Sequence, residues 1–431
     1  MRIYALVLAF TLVFAPMVAQ AKILDIQELK TPNGTTVWLV EDHTLPVISL
    51  SFAFRAGVEG NPPEKQGLAQ LLSNTLDEGA GNIPSQEFQG TLRDRAISLA
   101  FDTSRDEFSG DVRTLVRHKD KAFELLKLAL AKPRFDAEPV ERMRKANLSR
   151  IRSNLGDADW IASRILYSRI YAGHPYGLNS GGTLESMQKL TAGDLRAEWK
   201  RLAGRDRLVV GITGDITRDE AVKLVDDVFA GVPEKAAPQK IEKAPMPVAG
   251  KPVFYAKDMP QTILTMAWDG LSVHDPDYYA SVVMDYIFGG GGFTSRLMAE
   301  VREKRGLTYG ISSGAMHNDY ADRYTVSGSM QPQNVAETLK LVKEIAANMG
   351  KQDVSADELK AAKEYLVGSL PLTFSSTLRI AGTLVNLQLN NRPATALDDY
   401  RAKIEAVTPA DIRRVAARIF AAEPVVVMVG A

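Results

Sequence analysis

The segment Leu190-Thr-Ala-Gly-Asp-Leu195 returns as Val407-Thr-Pro-Ala-Asp-Ile412, and Val209-Val-Gly-Ile-Thr-Gly214 returns as Val425-Val-Val-Met-Val-Gly430. Each copy places a threonine to cap a helix, runs through that helix and ends in an apolar strand at nearly the same offset. A repeat of roughly two hundred residues is a domain duplication and not a solenoid, so the chain must fold as two similar halves. The proline- and lysine-rich stretch Pro233 to Pro247 separates them and reads as an extended, solvated linker. The boundaries that follow are a first domain over 22–232, a linker over 233–250 and a second domain over 251–431.

Within each half, strands come first and long helices later. Ile23 to Leu29, Thr36 to Glu41 and Val47 to Arg55 alternate as strands, with Asn33-Gly34 as a hairpin signal. Helical periodicity runs from Leu68 to Leu76, Ser85 is placed to cap the next helix, and Ile97 to Thr103 and Glu107 to Leu115 are further strands. Helices over Lys119 to Ala131, Ala137 to Asn154 and Ala158 to Ala172 precede the closing strand Arg207 to Thr213. The second half repeats this order. The fold class is α+β: two duplicated domains, each a mostly antiparallel sheet covered on one face by helices.

The global charge excludes some functions. Lys+Arg and Asp+Glu number 52 each, so no net field draws the chain to nucleic acid. With no cysteine there is no thiolate nucleophile, thiolate metal ligand or lipid-modified cysteine. Arg2, the apolar run Ala5 to Val13 and the small-x-small Ala19-Gln20-Ala21 form an export signal, with cleavage expected after Ala21 and a bacterial periplasm as the destination. No later apolar run is long enough to span a membrane.

The most informative motif is Gly289-Gly-Gly-Gly-Phe-Thr-Ser-Arg-Leu-Met-Ala-Glu-Val-Arg-Glu-Lys-Arg-Gly-Leu-Thr-Tyr309. A glycine run opens an amphipathic helix, and Gly306 can take the left-handed conformation that stops it. Arg302 and Tyr309 flank the stop. The run lacks the Lys-Ser/Thr of a phosphate loop and follows a helix, not a strand. Gly290, Gly291 and Gly292 serve either as a tight turn with close backbone approach or as a flexible lip whose amides meet a substrate. Taken alone, Glu-Val-Arg-Glu-Lys-Arg-Gly is an ordinary charged helix end.

This stretch resembles the substrate-gripping segment of the pitrilysin/insulinase-type (M16) zinc peptidases, and the resemblance covers nearly the whole chain. It implies that Arg302 and Tyr309 contact a bound peptide, the guanidinium donating to carbonyl oxygens and the phenol to an oxyanion. It also implies that the edge strand near Ile97 to Thr103 takes an extended peptide as an added strand, and that the two halves enclose a chamber.

The resemblance calls for His-x-x-Glu-His on the first helix after the third strand, but that helix reads Gly67-Leu-Ala-Gln-Leu-Leu-Ser-Asn74. Gln70 and Asn74 stand at the histidine positions and Ser73 at that of the general base. Carboxamides are poor zinc ligands, and no base remains to activate metal-bound water. The third ligand, a glutamate, is expected near Ser149-Arg150-Ile151, where no carboxylate occurs. Arg144, Lys145, Arg150 and Arg152 stand around that position instead. The five histidines (His43, His118, His174, His274 and His317) show no helical pairing that could substitute. The reading is a chain that binds no metal, no catalytic residue of its own being expected. Zinc is expected in an M16 paralogue that bears the motif and pairs with this chain as a heterodimer on extended peptide substrates. The alternative is a stand-alone peptide-binding or scaffolding pseudopeptidase of the cell envelope.

Overall fold

The computed structural model describes residues 22–244 and 249–431, so the export signal and part of the linker lie outside the described residues. The first half opens with the hairpin β1 (Gln27–Lys30) and β2 (Thr36–Glu41), where Gly34 has φ 83°. It continues through β3 (Val47–Phe54), α1 (Leu68–Ser73), the short strands β4 (Gly79–Ala80) and β5 (Ile83–Pro84), α2 (Ser85–Asp94), β6 (Ser98–Thr103) and β7 (Phe108–Leu115). Helices α3 (Lys119–Ala131), α4 (Ala137–Asn154), α5 (Ala158–Ile170), α6 (Leu184–Lys189) and α7 (Ala192–Leu202) lead to β8 (Leu208–Gly214) and α8 (Arg218–Val228). The second half comprises β9 (Val253–Ala256), β10 (Thr262–Asp269), α9 (Tyr278–Asp285), β11 (Thr308–His317) and β12 (Asp322–Met330). It closes with α10 (Val335–Met349), α11 (Ala356–Ser369), α12 (Thr377–Leu389), α13 (Tyr400–Ala406), α14 (Pro409–Ile419) and β13 (Val425–Gly430).

The duplication is a duplication of topology. The first sheet has the order β1-β2-β8-β3-β7-β6 and the second β11-β12-β10-β13-β9. Read from the opposite edge, the second order is β9-β13-β10-β12-β11, which matches β2-β8-β3-β7-β6 strand for strand. In both, only the pair nearest that edge is parallel (β2 with β8, β9 with β13). The repeated threonines do the same work: Thr191 and Thr408 each accept from the backbone N–H three residues on, and Asp194 and Asp411 return the bond. Each sheet buries one face under its own helices, Phe52, Phe54 and Phe108 being fully buried in the first core and Phe288 and Val326 in the second.

The opposite faces are where the structure departs from expectation. A sheet covered on one face alone would alternate in burial, yet β8 and the first seven residues of β10 are buried throughout. The reason is an exchange of helices between the halves. From the second half, α12 lies across β8 and β3 of the first sheet, packing Ile380 and Leu384 against Trp38 and Val40. From the first half, α5 lies across β13 and β10, packing Ile161, Leu166 and Ile170 against Ile263 and Val427. At Gly211 a Cβ would stand 2.4 Å from the Ala381 carbonyl oxygen, so only glycine lets α12 approach this closely.

Two local expectations are corrected. Ser85 does not cap α2; it is the first helical residue and its hydroxyl donates to Glu78, because Pro84 occupies the capping position. The linker is not free in solvent. The Arg205 N–H donates to Pro233 O at 2.9 Å, Arg201 Nη1 to Gln239 Oε1 at 2.6 Å and the Ala244 N–H to Tyr320 O at 2.8 Å, strapping it to both halves.

Candidate functional site

In the first half, α1 is a short helix entered through Gly67, whose left-handed conformation (φ 84°) lets it pack within a Cβ's reach of Gly182. Gln70 and Asn74 are four residues apart and so share one face of the turn. Ser73 is buried, and its hydroxyl donates to the Gln70 carbonyl oxygen at 3.0 Å. The residue that meets Asn74 from α4 is Asn147, which is 3% exposed, with Nδ2 2.9 Å from Asn74 Oδ1. Asn147 Oδ1 in turn accepts from Arg150 Nη2 at 2.9 Å. Sequence spacing had pointed two residues later, to Ser149, Arg150 and Ile151. The signal that could have found Asn147 is the buried face of α4, which runs Val140, Asn147, Leu148 and Ile151.

This cluster does not fit zinc. Its facing donors are two carboxamides locked to each other and a third, Gln70, bonded to Ser73 at 3.3 Å. The Arg150 guanidinium on Asn147 Oδ1 brings a positive charge to the cluster, where a cation would need a carboxylate. Among the described residues no group of three His, Asp or Glu side chains is placed to hold a metal ion. The nearby carboxylates are engaged elsewhere. Glu78 is buried on Arg142 at 2.6 Å, and Asp77, pushed up to about 6 by burial, accepts from Gln89 at 3.1 Å.

The second half holds the other group. The glycine run prolongs α9 as a π-helical turn over Tyr286–Gly290, and Met298–Glu303 is wound as a second π-helical segment. The run divides into two roles. A Cβ on Gly289 would meet Ser313 Oγ at 2.5 Å, one on Gly290 the Asp285 carboxylate at 2.5 Å, and one on Gly291 the Tyr286 carbonyl oxygen at 2.5 Å. Gly289 is thus glycine for close packing against β11, and Gly290 and Gly291 for tight winding on their own helical turn, whose Asp285 accepts from Ser313 Oγ of β11 and Tyr324 Oη of β12, both at 2.6 Å. Gly292 has open space around it and φ 59°, and the next residue, Phe293, is 64% exposed.

Gly306, at φ 63°, ends the segment: its N–H bonds to Arg302 O and that of Leu307 to Val301 O. The reversal brings Arg302 and Tyr309 to one cleft of about 330 Å³, which Gln261, Met330, Gln331 and Asn334 also line. Tyr309 is 81% exposed. The Arg302 guanidinium stacks on the Phe293 ring at 4.7 Å, while Lys304 and Arg305 occupy the Glu300 carboxylate. Among the described residues neither the guanidinium nor the Tyr309 hydroxyl has a hydrogen-bond partner. The structure thus brings Arg302 and Tyr309 together, and Gly290 and Gly291 do not line their cleft. The Gln70–Asn74 cluster belongs wholly to the first half and stands apart from that cleft.

Between the halves lies a larger cavity of about 870 Å³. Equivalent turns, β6–β7 and β11–β12, meet there. Asp106 accepts from Asn318 Nδ2 at 2.9 Å and the Asp319 N–H at 3.1 Å, and Arg55 faces them. Burial, followed by repulsion from Asp106, Asp319 and Asp102, pushes Glu107 up to about 7. His174 has a structural role, its ring accepting from the Tyr176 N–H at 3.1 Å.

Comparison with known proteins agrees with this geometry. Residues 36–183 match the family model of the insulinase (M16) peptidases, and residues 189–366 match the M16 inactive domain. A Helicobacter pylori protein, the non-peptidase homolog YmxG, is 29% identical over 366 residues, 83% of either chain. The crystal structure of a peptidase M16 inactive domain from Pseudomonas fluorescens superposes with a TM-score of 0.88 at 29% identity, covering 94% of this chain and 98% of that one. A protease from Helicobacter pylori superposes at 0.86 with 18% identity, over 94% and 99% of the two chains, and so shares the fold. Among the described residues no helix is long and apolar enough to cross a membrane.

Proposed function

The chain belongs to the M16, insulinase-type peptidase family, and on that premise we propose that it is a non-catalytic, substrate-binding subunit of a heterodimeric zinc peptidase. One contrast carries the reading. The family's metal positions are occupied by neutral groups bonded to one another, whereas Arg302 and Tyr309 keep their donors free in a shared cleft. A group held without an internal partner is available to a ligand. In the assembled enzyme a paralogue bearing His-x-x-Glu-His supplies metal and general base, and this chain holds an extended, unfolded peptide. The Arg302 guanidinium donates to peptide carbonyl oxygens, and its stacking on Phe293, worth about 0.5–1 kcal/mol at an exposed site, keeps it poised. The Tyr309 hydroxyl donates to an oxygen that gains charge during cleavage. The reading of residues 1–21 as a cleaved export signal supports a periplasmic site for this activity.

The test is reconstitution with the zinc-bearing paralogue. Peptide cleavage should require both chains, and Arg302→Ala and Tyr309→Phe in this chain should each lower kcat/KM by about 10- to 100-fold. Cleavage that proceeds without this chain, or is unchanged by both substitutions, sinks the subunit reading. In that case a stand-alone peptide-binding pseudopeptidase remains. The non-peptidase name of the Helicobacter pylori relative favours that second reading, and retained peptide binding without any cleavage partner would establish it.

A further inference from the structure

The positions that no longer suit a metal are not merely vacated, because the hydrogen bonds around them fix which way each carboxamide faces. Arg150 can only donate, so the Asn147 atom 2.9 Å from its Nη2 is the oxygen. Asn147 Nδ2 therefore faces both the Met143 carbonyl oxygen and Asn74, each at 2.9 Å, and the Asn74 atom that meets it is Oδ1. That leaves the Asn74 NH₂ group turned away from the cluster. Ser73 spends its proton on the Gln70 carbonyl oxygen, so its Oγ accepts from Gln70 Nε2 and, among the described residues, the Gln70 Oε1 is left without a donor. Both residues are half-buried, one helical turn apart on one face of α1, and present one amide donor and one amide acceptor.

Besides α7 and α4, α1 packs on β6, the last strand of the six-stranded sheet, whose outer backbone groups pair with no other strand among the described residues. An extended chain offers N–H and C=O groups of alternate residues along each edge. A segment laid on β6 would turn one edge toward that strand and run beside α1.

We propose that Gln70 and Asn74 form a backbone-reading site for an extended peptide, the Asn74 amide donating to a peptide carbonyl and Gln70 Oε1 accepting from a peptide N–H. The inference rests on the reading of this chain as a peptide binder and adds a second point of contact, in the other half from Arg302 and Tyr309. Neutral amides hold a peptide group without polarising it toward hydrolysis. The site reads no side chain, so its ligand class is any unfolded segment free of proline at the contacted residue.

Fluorescence anisotropy with a fluorescein-labelled unstructured peptide and the purified full chain tests it. Asn74→Asp keeps the acceptor that Asn147 needs and replaces the outward donor with a charged carboxylate oxygen that repels a peptide carbonyl; it should weaken binding about tenfold. Gln70→Met removes the outward acceptor and should weaken binding by a similar factor, and it decides the matter if the first variant unfolds. Parent affinity in both variants overturns the proposal. If binding falls in Arg302→Ala but not in these two, the general peptide-binding reading stands and this site is wrong. If it falls in these two but not in Arg302→Ala, the site stands and the arginine cleft loses its role. No binding by the parent chain overturns both.

Discussion

At the residue scale, the decisive substitutions are those that exchange ionisable groups for amides. Asn74 is bonded to Asn147 and Gln70 to Ser73, so the half-buried cluster is held by neutral groups where a carboxylate would need a cation. The contact between Asn74 and Asn147 means that ligands placed there would converge. Gln70→His, Ser73→Glu, Asn74→His and Asn147→Glu combined with Arg150→Ala should therefore bind stoichiometric zinc, measured by elemental analysis after dialysis. Retaining Arg150 should weaken that affinity by about tenfold or more through charge repulsion. Failure of the fivefold variant to hold zinc would mean that these positions do not converge. Gln70, Ser73 and Asn74 were legible in sequence because they sit on one short motif. Asn147 was not, because the spacing between two helices depends on how α4 lies on α1.

At the element scale, the exchanged helices matter most. Leu384 of α12 is fully buried between β2 and β8, with its Cβ 2.8 Å from where a Gly211 Cβ would be. Leu384→Ala should cost about 2–5 kcal/mol in urea unfolding. A loss below about 1 kcal/mol would mean that α12 contributes little to the first sheet. The continuous burial of β8 hinted at a second covering layer, but periodicity cannot say which helix supplies it. The packing of the glycine run divides in the same way. Gly289 packs against β11, Gly290 and Gly291 against their own helical turn, and of the four Gly292 alone stands free.

At the scale of the whole molecule, the halves meet through their equivalent turns around the acidic cavity. Glu107 has a folded-state value of about 7, raised above the ordinary glutamate range, so the folded chain holds a proton that the unfolded chain releases. Stability is then lost as pH rises from about 4.5 to 7, by about 1–3 kcal/mol after allowance for partial exposure, and is flat above that range. Glu107→Gln should remove this component. Thermal unfolding at pH 5 and pH 8 should show the parent losing more stability than the variant over that interval. Equal losses would place the pH dependence elsewhere.

Sequence alone determined that the chain is duplicated and that its halves are α+β, both from local patterns of periodicity, capping and spacing. That Gln70, Ser73 and Asn74 stand where a zinc motif would be, with Arg302 and Tyr309 kept, is what the resemblance to the M16 peptidases implied. Only the tertiary structure decided that each half lends a helix to the other's sheet, that Asn147 closes the amide cluster and that Phe293 backs Arg302. Those contacts join residues far apart in the chain, and nothing in local chemistry selects among the many partners that each apolar face or amide could accept.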